Sequence, residues 1–578
     1  MAKILRVNMS ERTAAYEEVP DAYRELGGRG LTSTIVCDEV DPTCHPLGPN
    51  NKLVFAPGLI AGTNAPTSGR LSAGAKSPLT GGIKESNAGT NWPQLVGRLG
   101  LKAVIVEGQS DGWWGLHITK DGAKFFDASE YAGRSLYELF PDLFERFGEK
   151  VSIATIGVAG EMRMSMAGIC YNDIENRPTR YSGRGGLGAV MGSKGLKLIV
   201  VDGEGGPGVE IADQALFDEG RKKMLEALRS HDITKPKGGL NTYGTAVLVN
   251  VLNEAGGYPT HNFREGRFEG AAATSGEAIF ETNEKRLGKE IYNHGCHPGC
   301  TIQCSNTYHK PDGTEHVSCI EYESTWALGA NCGIDDLDAI AELIWLCNDI
   351  GVDTIEAGGT IAVAMDAGLA EFGDSEAAIQ WMEEIRQGTP LGRILGNGAA
   401  TTGMAYGWHR VPGCKGQNMP AYEPRAVKGI GITYATSTMG ADHTAGYTIA
   451  PEILGVSGKV DQFDIDKAAL SRAFQQTTAV IDSSGHCLFI AFAILDIPEG
   501  YQGMIDELNG LLGTNWTADD VTRIGQEILD QEIAFNRAAG LTPADDRIPE
   551  FMKYEKLPPH DVVWDVPDET LDAVFGQA

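Results

Sequence analysis

Three cysteines within nine residues, Cys296, Cys300 and Cys304, constrain this chain more than any other feature. They fall in Asn293-His294-Gly295-Cys-His-Pro-Gly-Cys-Thr-Ile-Gln-Cys, a stretch with little of the apolar periodicity that a packed element requires. Thiolates this close can wrap one face of an iron–sulfur cluster, with a distant cysteine as the fourth ligand. A zinc site and a group of reactive or structural thiols are the competing readings. A redox centre would make the chain an electron-transfer enzyme or part of one.

The chain has 578 residues, enough for two to four domains and a large core. Its 11 cysteines are too sparse for a secreted disulfide scaffold. The opening Met-Ala-Lys-Ile-Leu-Arg-Val-Asn lacks the features of a secretory signal. With no apolar run near the roughly 18 residues of a membrane span, the expectation is a cytoplasmic protein. A net charge of −30 argues against general affinity for nucleic acid. Glycine is the outlier, at 74 residues gathered in particular places. That pattern suggests backbone held close to a large ligand.

The texture changes along the chain. Short β-branched runs such as Lys102-Ala-Val-Ile-Val and Leu196-Lys-Leu-Ile-Val-Val predict strands through residue 205. Beyond Gly203-Glu-Gly-Gly-Pro-Gly the spacing becomes helical, and a second boundary falls in the Gly-rich stretch 401–416. The predicted class is α+β: a β-rich domain over 1–205, then two mainly helical domains over 206–410 and 411–578.

A weak internal echo runs through the helical part. One predicted helix ends in Asp349-Ile-Gly351-Val-Asp353, and another ends in Asp482-Ser-Ser-Gly485-His486-Cys487. Singly, each is an ordinary helix stop on glycine. As a pair they suggest two equivalent halves of a ligand site, the second supplying the fourth cluster cysteine. Asp349, Asp353 and Asp482 suit a ligand edge rich in N–H donors, such as a pterin, because ionised carboxylates only accept. Phosphates need the opposite. Candidates are the region of Arg70 with Ser86-Asn87-Ala88-Gly89, and the loop Tyr181-Ser182-Gly183-Arg184-Gly185-Gly186. That loop contains G-x-G-x-x-G but follows a polar segment rather than a buried strand, so a Rossmann fingerprint is rejected and an anion-binding loop retained. Glu321, Glu323 and His443 stand in small or apolar surroundings and are candidates for proton transfer.

These residues together resemble the aldehyde:ferredoxin oxidoreductase family of tungsten or molybdenum bis-pterin enzymes. The similarity runs along essentially the whole chain. It includes Thr67-Ser-Gly-Arg70, Lys76-Ser-Pro-Leu-Thr-Gly, Gly183-Arg-Gly-Gly-Leu-Gly, Pro259-Thr-His-Asn-Phe263, Glu321-Tyr-Glu323, Pro420-Ala-Tyr-Glu-Pro-Arg425 and Ala441-Asp-His443. The resemblance implies a β-rich base carrying two pterin dithiolenes, enclosed by two helical domains. It implies pterin contacts at Asp349, Asp353 and Asp482, with Arg70 between a pterin and the cluster. Mg2+ bridging the pterin phosphates would sit on carbonyls of Asn87 and Ser182. Cys296, Cys300, Cys304 and Cys487 would hold a [4Fe–4S] cluster, and Glu323 and His443, with Glu321 as fallback, would handle protons. The implied reaction takes an aldehyde to a carboxylic acid and passes electrons to a ferredoxin-like acceptor. A homodimer is implied by analogy alone.

Four positions depart from the pattern the family shows. The cysteines are spaced by three and three residues rather than two and three. Trp345 stands where some members have a histidine three residues after Glu342, so no interface metal is expected. Met439 replaces an arginine, and Tyr181 replaces a basic residue. A low-potential reductase of a carboxylate or activated aromatic substrate, or an electron-transfer subunit of a larger complex, therefore stays open.

Overall fold

The computed structural model describes residues 2–576. The β-branched runs become strands, and two six-stranded sheets form the N-terminal part. The first contains β1 (Lys3–Asn8), β2 (Thr13–Glu18), β3 (Leu53–Pro57), β4 (Arg70–Lys76), β5 (Ile83–Gly89) and β6 (Leu101–Glu107). The second contains β7 (Trp114–Thr119), β8 (Gly122–Asp127), β9 (Ser152–Thr155), β10 (Ile169–Tyr171), β11 (Arg180–Ser182) and β12 (Leu196–Val201). Their orders are β2-β1-β6-β3-β4-β5 and β8-β7-β12-β9-β10-β11, the same topology twice. In each sheet one pair is parallel, β1 with β6 and β7 with β12, and every other pair is antiparallel. The last strands of the two copies, β5 and β11, lie against each other. A layer of apolar side chains from both sheets, including Leu53, Phe55, Val104, Ile199 and Tyr171, fuses them into one base. Burying such side chains contributes about 1.5–3 kcal/mol each.

From Gln214 onward the chain is mainly helical, as predicted. Among the described residues no helix is long and apolar enough to cross a membrane. The two echoing helices Leu337–Ile350 and Ala468–Ser484 end on glycines in the left-handed region, Gly351 at φ +84 and Gly485 at φ +95. Each end docks on the equivalent point of a different sheet copy. Just after β3, Gly58 packs so tightly on Gly485 that a Cβ at 58 would stand 2.0 Å from the Gly485 Cα. Just after β9, a Cβ at Gly157 would meet the Ile350 carbonyl at 2.2 Å. Backbone bonds reinforce both contacts: Arg70 N donates to Gly485 O (3.2 Å) and Gly168 N to Gly351 O (3.0 Å). The sequence echo is therefore the helical counterpart of the duplicated sheets.

Candidate functional site

A cavity in two lobes lies over the meeting edges of β5 and β11. The larger lobe, of about 360 Å³, is bounded by Glu85, Arg184, Glu323, Asp442, His443 and Asp482, and it reaches Cys296, Cys304 and Cys487. The smaller, of about 180 Å³, is bounded by Ala88, Gly89, Ser324, Asn348, Asp353 and Thr354. Arg70, Asn87, Arg180, Tyr181, Gly183 and Glu321 line both. Each lobe thus holds one residue of the aspartate echo, Asp353 or Asp482.

Asp349 does not face the cavity. Its Oδ1 accepts from Ser135 Oγ and from Tyr137 N (3.2 Å), and its Oδ2 pairs with Arg386 at 2.8 Å. Gly351 and Gly485 act as helix terminators. His486 is fully buried, with Nε2 2.9 Å from Glu507 Oε2 and Nδ1 3.0 Å from Ser484 Oγ, beside Cys487. The glycine loop opens the Leu187–Ser193 helix but follows the short antiparallel strand β11, unlike a Rossmann unit. Within it Arg184 is a bridge: Nε reaches Asp353 (3.0 Å), Nη1 Ala441 O (2.8 Å) and Nη2 Asn418 O (2.7 Å). Ser182 is buried, and Gly185 accepts from Ser77 Oγ (2.7 Å) and packs against the Lys84 stem.

Cys296, Cys304 and Cys487 line one part of the larger lobe, with Cys300 beside Cys296. Cys296 and Cys300, with the intervening His297, present ligand atoms within 4.8 Å of one another. Thr67 ties the corner together: its N donates to Gly299 O (3.0 Å), its carbonyl accepts from Cys487 N (3.0 Å), and its hydroxyl lies 3.0 Å from that of Thr301. Arg70 Nη2 donates to Cys487 Sγ (3.1 Å) and Nη1 to Asn87 Oδ1 (3.3 Å), while Nε has no partner. Glu321 faces this corner, accepting from Thr245 Oγ1 (2.7 Å). Burial raises its carboxyl, against the opposing pull of Arg180.

Glu323 and His443 meet on a wall of the larger lobe, with Nε2 to Oε1 at 3.4 Å. Glu323 Oε2 accepts from Ala421 N (3.0 Å), whereas Glu323 Oε1 and His443 Nδ1 have no hydrogen-bond partner. Burial pushes Glu323 up to about 8 and His443 down to about 4. At neutral pH the wall therefore presents an acid O–H and a neutral imidazole. For Asp442, burial works against the charge, but Lys84 and Arg184 outweigh it and hold the carboxyl below its usual range. Tyr422 and Tyr447 complete this wall, their hydroxyls 2.9 Å apart.

Sequence reasoning missed Glu85, Arg180 and Asp442 as cavity residues, and Lys84 as the buried partner of Asp442. Lys84 Nζ lies 3.4 Å from Asp442 Oδ2 and 3.5 Å from the carbonyl of Met439, one of the four departing positions. Charged residues in a strand ordinarily read as a solvent-facing row, and only the pairing of β5 inside the fold buries them.

Comparison with known proteins decides what this cavity belongs to. The family model described as aldehyde ferredoxin oxidoreductase, N-terminal domain, matches residues 4–203, and the model for domains 2 and 3 matches residues 219–575. This chain belongs to the aldehyde ferredoxin oxidoreductase family. The tungsten-containing aldehyde ferredoxin oxidoreductase of Pyrococcus horikoshii is 39% identical, covering 96% of this chain and 92% of its own. The protein of the same name from Thermococcus kodakarensis is also 39% identical, with the same coverage. A more distant relative is the WOR-like subunit of an aliphatic sulfonate oxidoreductase from Pyrococcus furiosus. It is 24% identical over 91% of this chain and 84% of its own. The active-site complex BamBC of benzoyl coenzyme A reductase, solved with 1,5-dienoyl-CoA, shares the fold: TM-score 0.81, 20% identity, 100% of this chain and 94% of that one.

The family's cofactors are a tungsten or molybdenum bis-pterin and a [4Fe–4S] cluster, and the donor set here fits them. Two lobes on a duplicated base match two pterins. Thiols gathered at one edge match a cluster. Buried polar atoms without protein partners, among them Arg70 Nε, Asn87 Nδ2 and Glu85 Oε1, are what a large polar ligand would satisfy.

Proposed function

We propose that this chain oxidises an aldehyde to a carboxylic acid, RCHO + H2O → RCOOH + 2 H+ + 2 e−, and delivers the electrons to a ferredoxin-like acceptor. The observation that carries this reading is the close pairing of Glu323 with His443 in the same cavity as the cysteine corner. When bound, a pterin-held metal and an iron–sulfur cluster would supply the redox chemistry that takes up and passes on the two electrons. Glu323 donates its Oε1 hydrogen to the carbonyl oxygen and polarises the carbon toward water. Neutral His443 takes the proton that water loses. Tyr422 and Tyr447 exclude bulk water, and Asp442 with Lys84 and Arg184 holds the His443 turn in place.

Cys296, Cys300, Cys304 and Cys487 are the proposed cluster ligands. Arg70 lies between cluster and cofactor, and Arg180 adds positive charge that suits phosphate. Asp353 and Asp482 are the proposed pterin contacts, one per lobe. Asn87 on β5 and Ser182 on β11 offer carbonyls for a Mg2+ ion between the sheet copies, beside Ala88, Gly89 and the loop Gly183-Arg184-Gly185. Pro298, Gly299 and Gln303 of the cysteine loop are exposed, which suits electron transfer to a docked acceptor. Carboxylate reduction would run the same residues in reverse, with direction set by the acceptor's potential. The test is anaerobic reduction of a viologen dye by purified protein with an aldehyde, with the acid product measured. Two dye molecules reduced per acid formed is the expected stoichiometry. Dye reduction without acid, or none with any aldehyde, would overturn the reading.

A further inference from the structure

The larger lobe has an acidic wall beside three arginines, Arg70, Arg180 and Arg184. Glu85, Asp442 and Asp482 all line it. Lys84 serves Asp442, at 3.4 Å. Arg29, the cation beside Asp482, is largely spent on Glu532: its Nε and Nη2 lie 3.0 and 2.8 Å from the Glu532 oxygens. Its remaining Nη1 is 3.7 Å from Asp482. Glu85 is 7% exposed, with the Ser72 hydroxyl near its carboxylate and no well-aligned hydrogen bond at Oε1. Its backbone is fixed by strand pairing opposite Gly74 and by an N–H donated to Met439 Sδ (3.1 Å).

A buried carboxylate oxygen with nothing to accept from is unfavourable unless a ligand supplies the donor. That ligand edge must carry N–H groups, since ionised carboxylates only accept. We infer that Glu85 is a binding residue for the pterin of the larger lobe, its Oε1 accepting from the amino-pyrimidinone edge beside Asp482. The inference rests on the bis-pterin reading above.

A binding role predicts that pterin retention and pterin-free stability respond to Glu85 in opposite directions, which separates it from a structural role. Glu85→Gln keeps the shape and removes the charge that strengthens such a bond. Pterin per chain, measured by fluorescence after oxidation, should be lost about tenfold faster during desalting than from wild type. The same variant made in a pterin-deficient host should melt about 1–3 °C higher than pterin-free wild type. Glu85→Met, which removes both oxygens at similar volume, should lose more pterin with the same sign in melting temperature. Pterin retention equal to wild type, or retention and melting temperature falling together, would overturn the inference alone. Wild-type protein from a competent host that carries no pterin would overturn the bis-pterin reading with it.

Discussion

His443 Nε2 stands 3.4 Å from Glu323 Oε1, and both residues line the larger lobe of the cavity. Burial moves the two in opposite directions, Glu323 up to about 8 and His443 down to about 4. The proposed roles need protonated Glu323 and neutral His443, so turnover should form a plateau between those limits. The acid limb reports His443 gaining a proton and the alkaline limb Glu323 losing one, with apparent values belonging to the pair. Glu323→Gln should lower kcat by about 10²–10⁴-fold and abolish the alkaline limb. An unchanged alkaline limb would assign it elsewhere.

The same residue leaves a mark on stability. A carboxyl raised to about 8 in the fold ionises near 4.5 once unfolded. Between those values the folded chain holds the extra proton, so this contribution is full below about 4.5 and is lost as pH rises to about 8. Melting curves of wild type and Glu323→Gln should differ in slope across that window. Parallel curves would contradict the buried acid.

Part of this site was legible in the sequence, and the reason is local. Gly351 and Gly485 terminate helices by local backbone preference, and three clustered cysteines announce themselves by spacing. What could not be read depends on contacts far apart in the chain. The duplicated sheets share strand order without sharing residues, so no repeat is visible. Asp349 resembles its counterpart Asp482 in sequence, yet Ser135 and Arg386, distant from it in the chain, hold its carboxylate outside the cavity. Glu85 and Lys84 read as an ordinary polar strand edge until β5 is paired and covered.

Asp349 accordingly offers a test that separates packing from cofactor binding. Asp349→Ala removes the acceptor for Ser135 and Tyr137 and one of two carboxylates beside the part-exposed Arg386, and should destabilise the fold by about 1–3 kcal/mol. Pterin lost per chain from the protein that stays folded should match wild type. Selective loss of pterin at unchanged stability would return Asp349 to the cofactor.

Arg184 joins the glycine loop to Asp353, Asn418 and Ala441. Arg184→Met keeps the apolar stem and strands the Asp353 carboxylate and two carbonyls. The expected result is a loss of about 3–5 kcal/mol in denaturant unfolding. A loss under 1 kcal/mol would show that the bridge is not needed to hold these segments together.

The cysteines make a sharp contrast. Cys487→Ser should reduce bound iron and change the paramagnetic signal of the reduced cluster, because it replaces a proposed ligand that also accepts from Arg70. Cys332→Ser, at a buried thiol hydrogen-bonded to Ala327 O (3.2 Å), should leave iron content unchanged. Equal effects from both would remove Cys487 from the ligand set.

The most direct test of the whole account is a count of metals and pterin in protein purified anaerobically from its natural host. The expected result is about four irons and one tungsten or molybdenum per chain, with two pterins. Zinc in place of iron, or iron with neither heavy metal nor pterin, would contradict it.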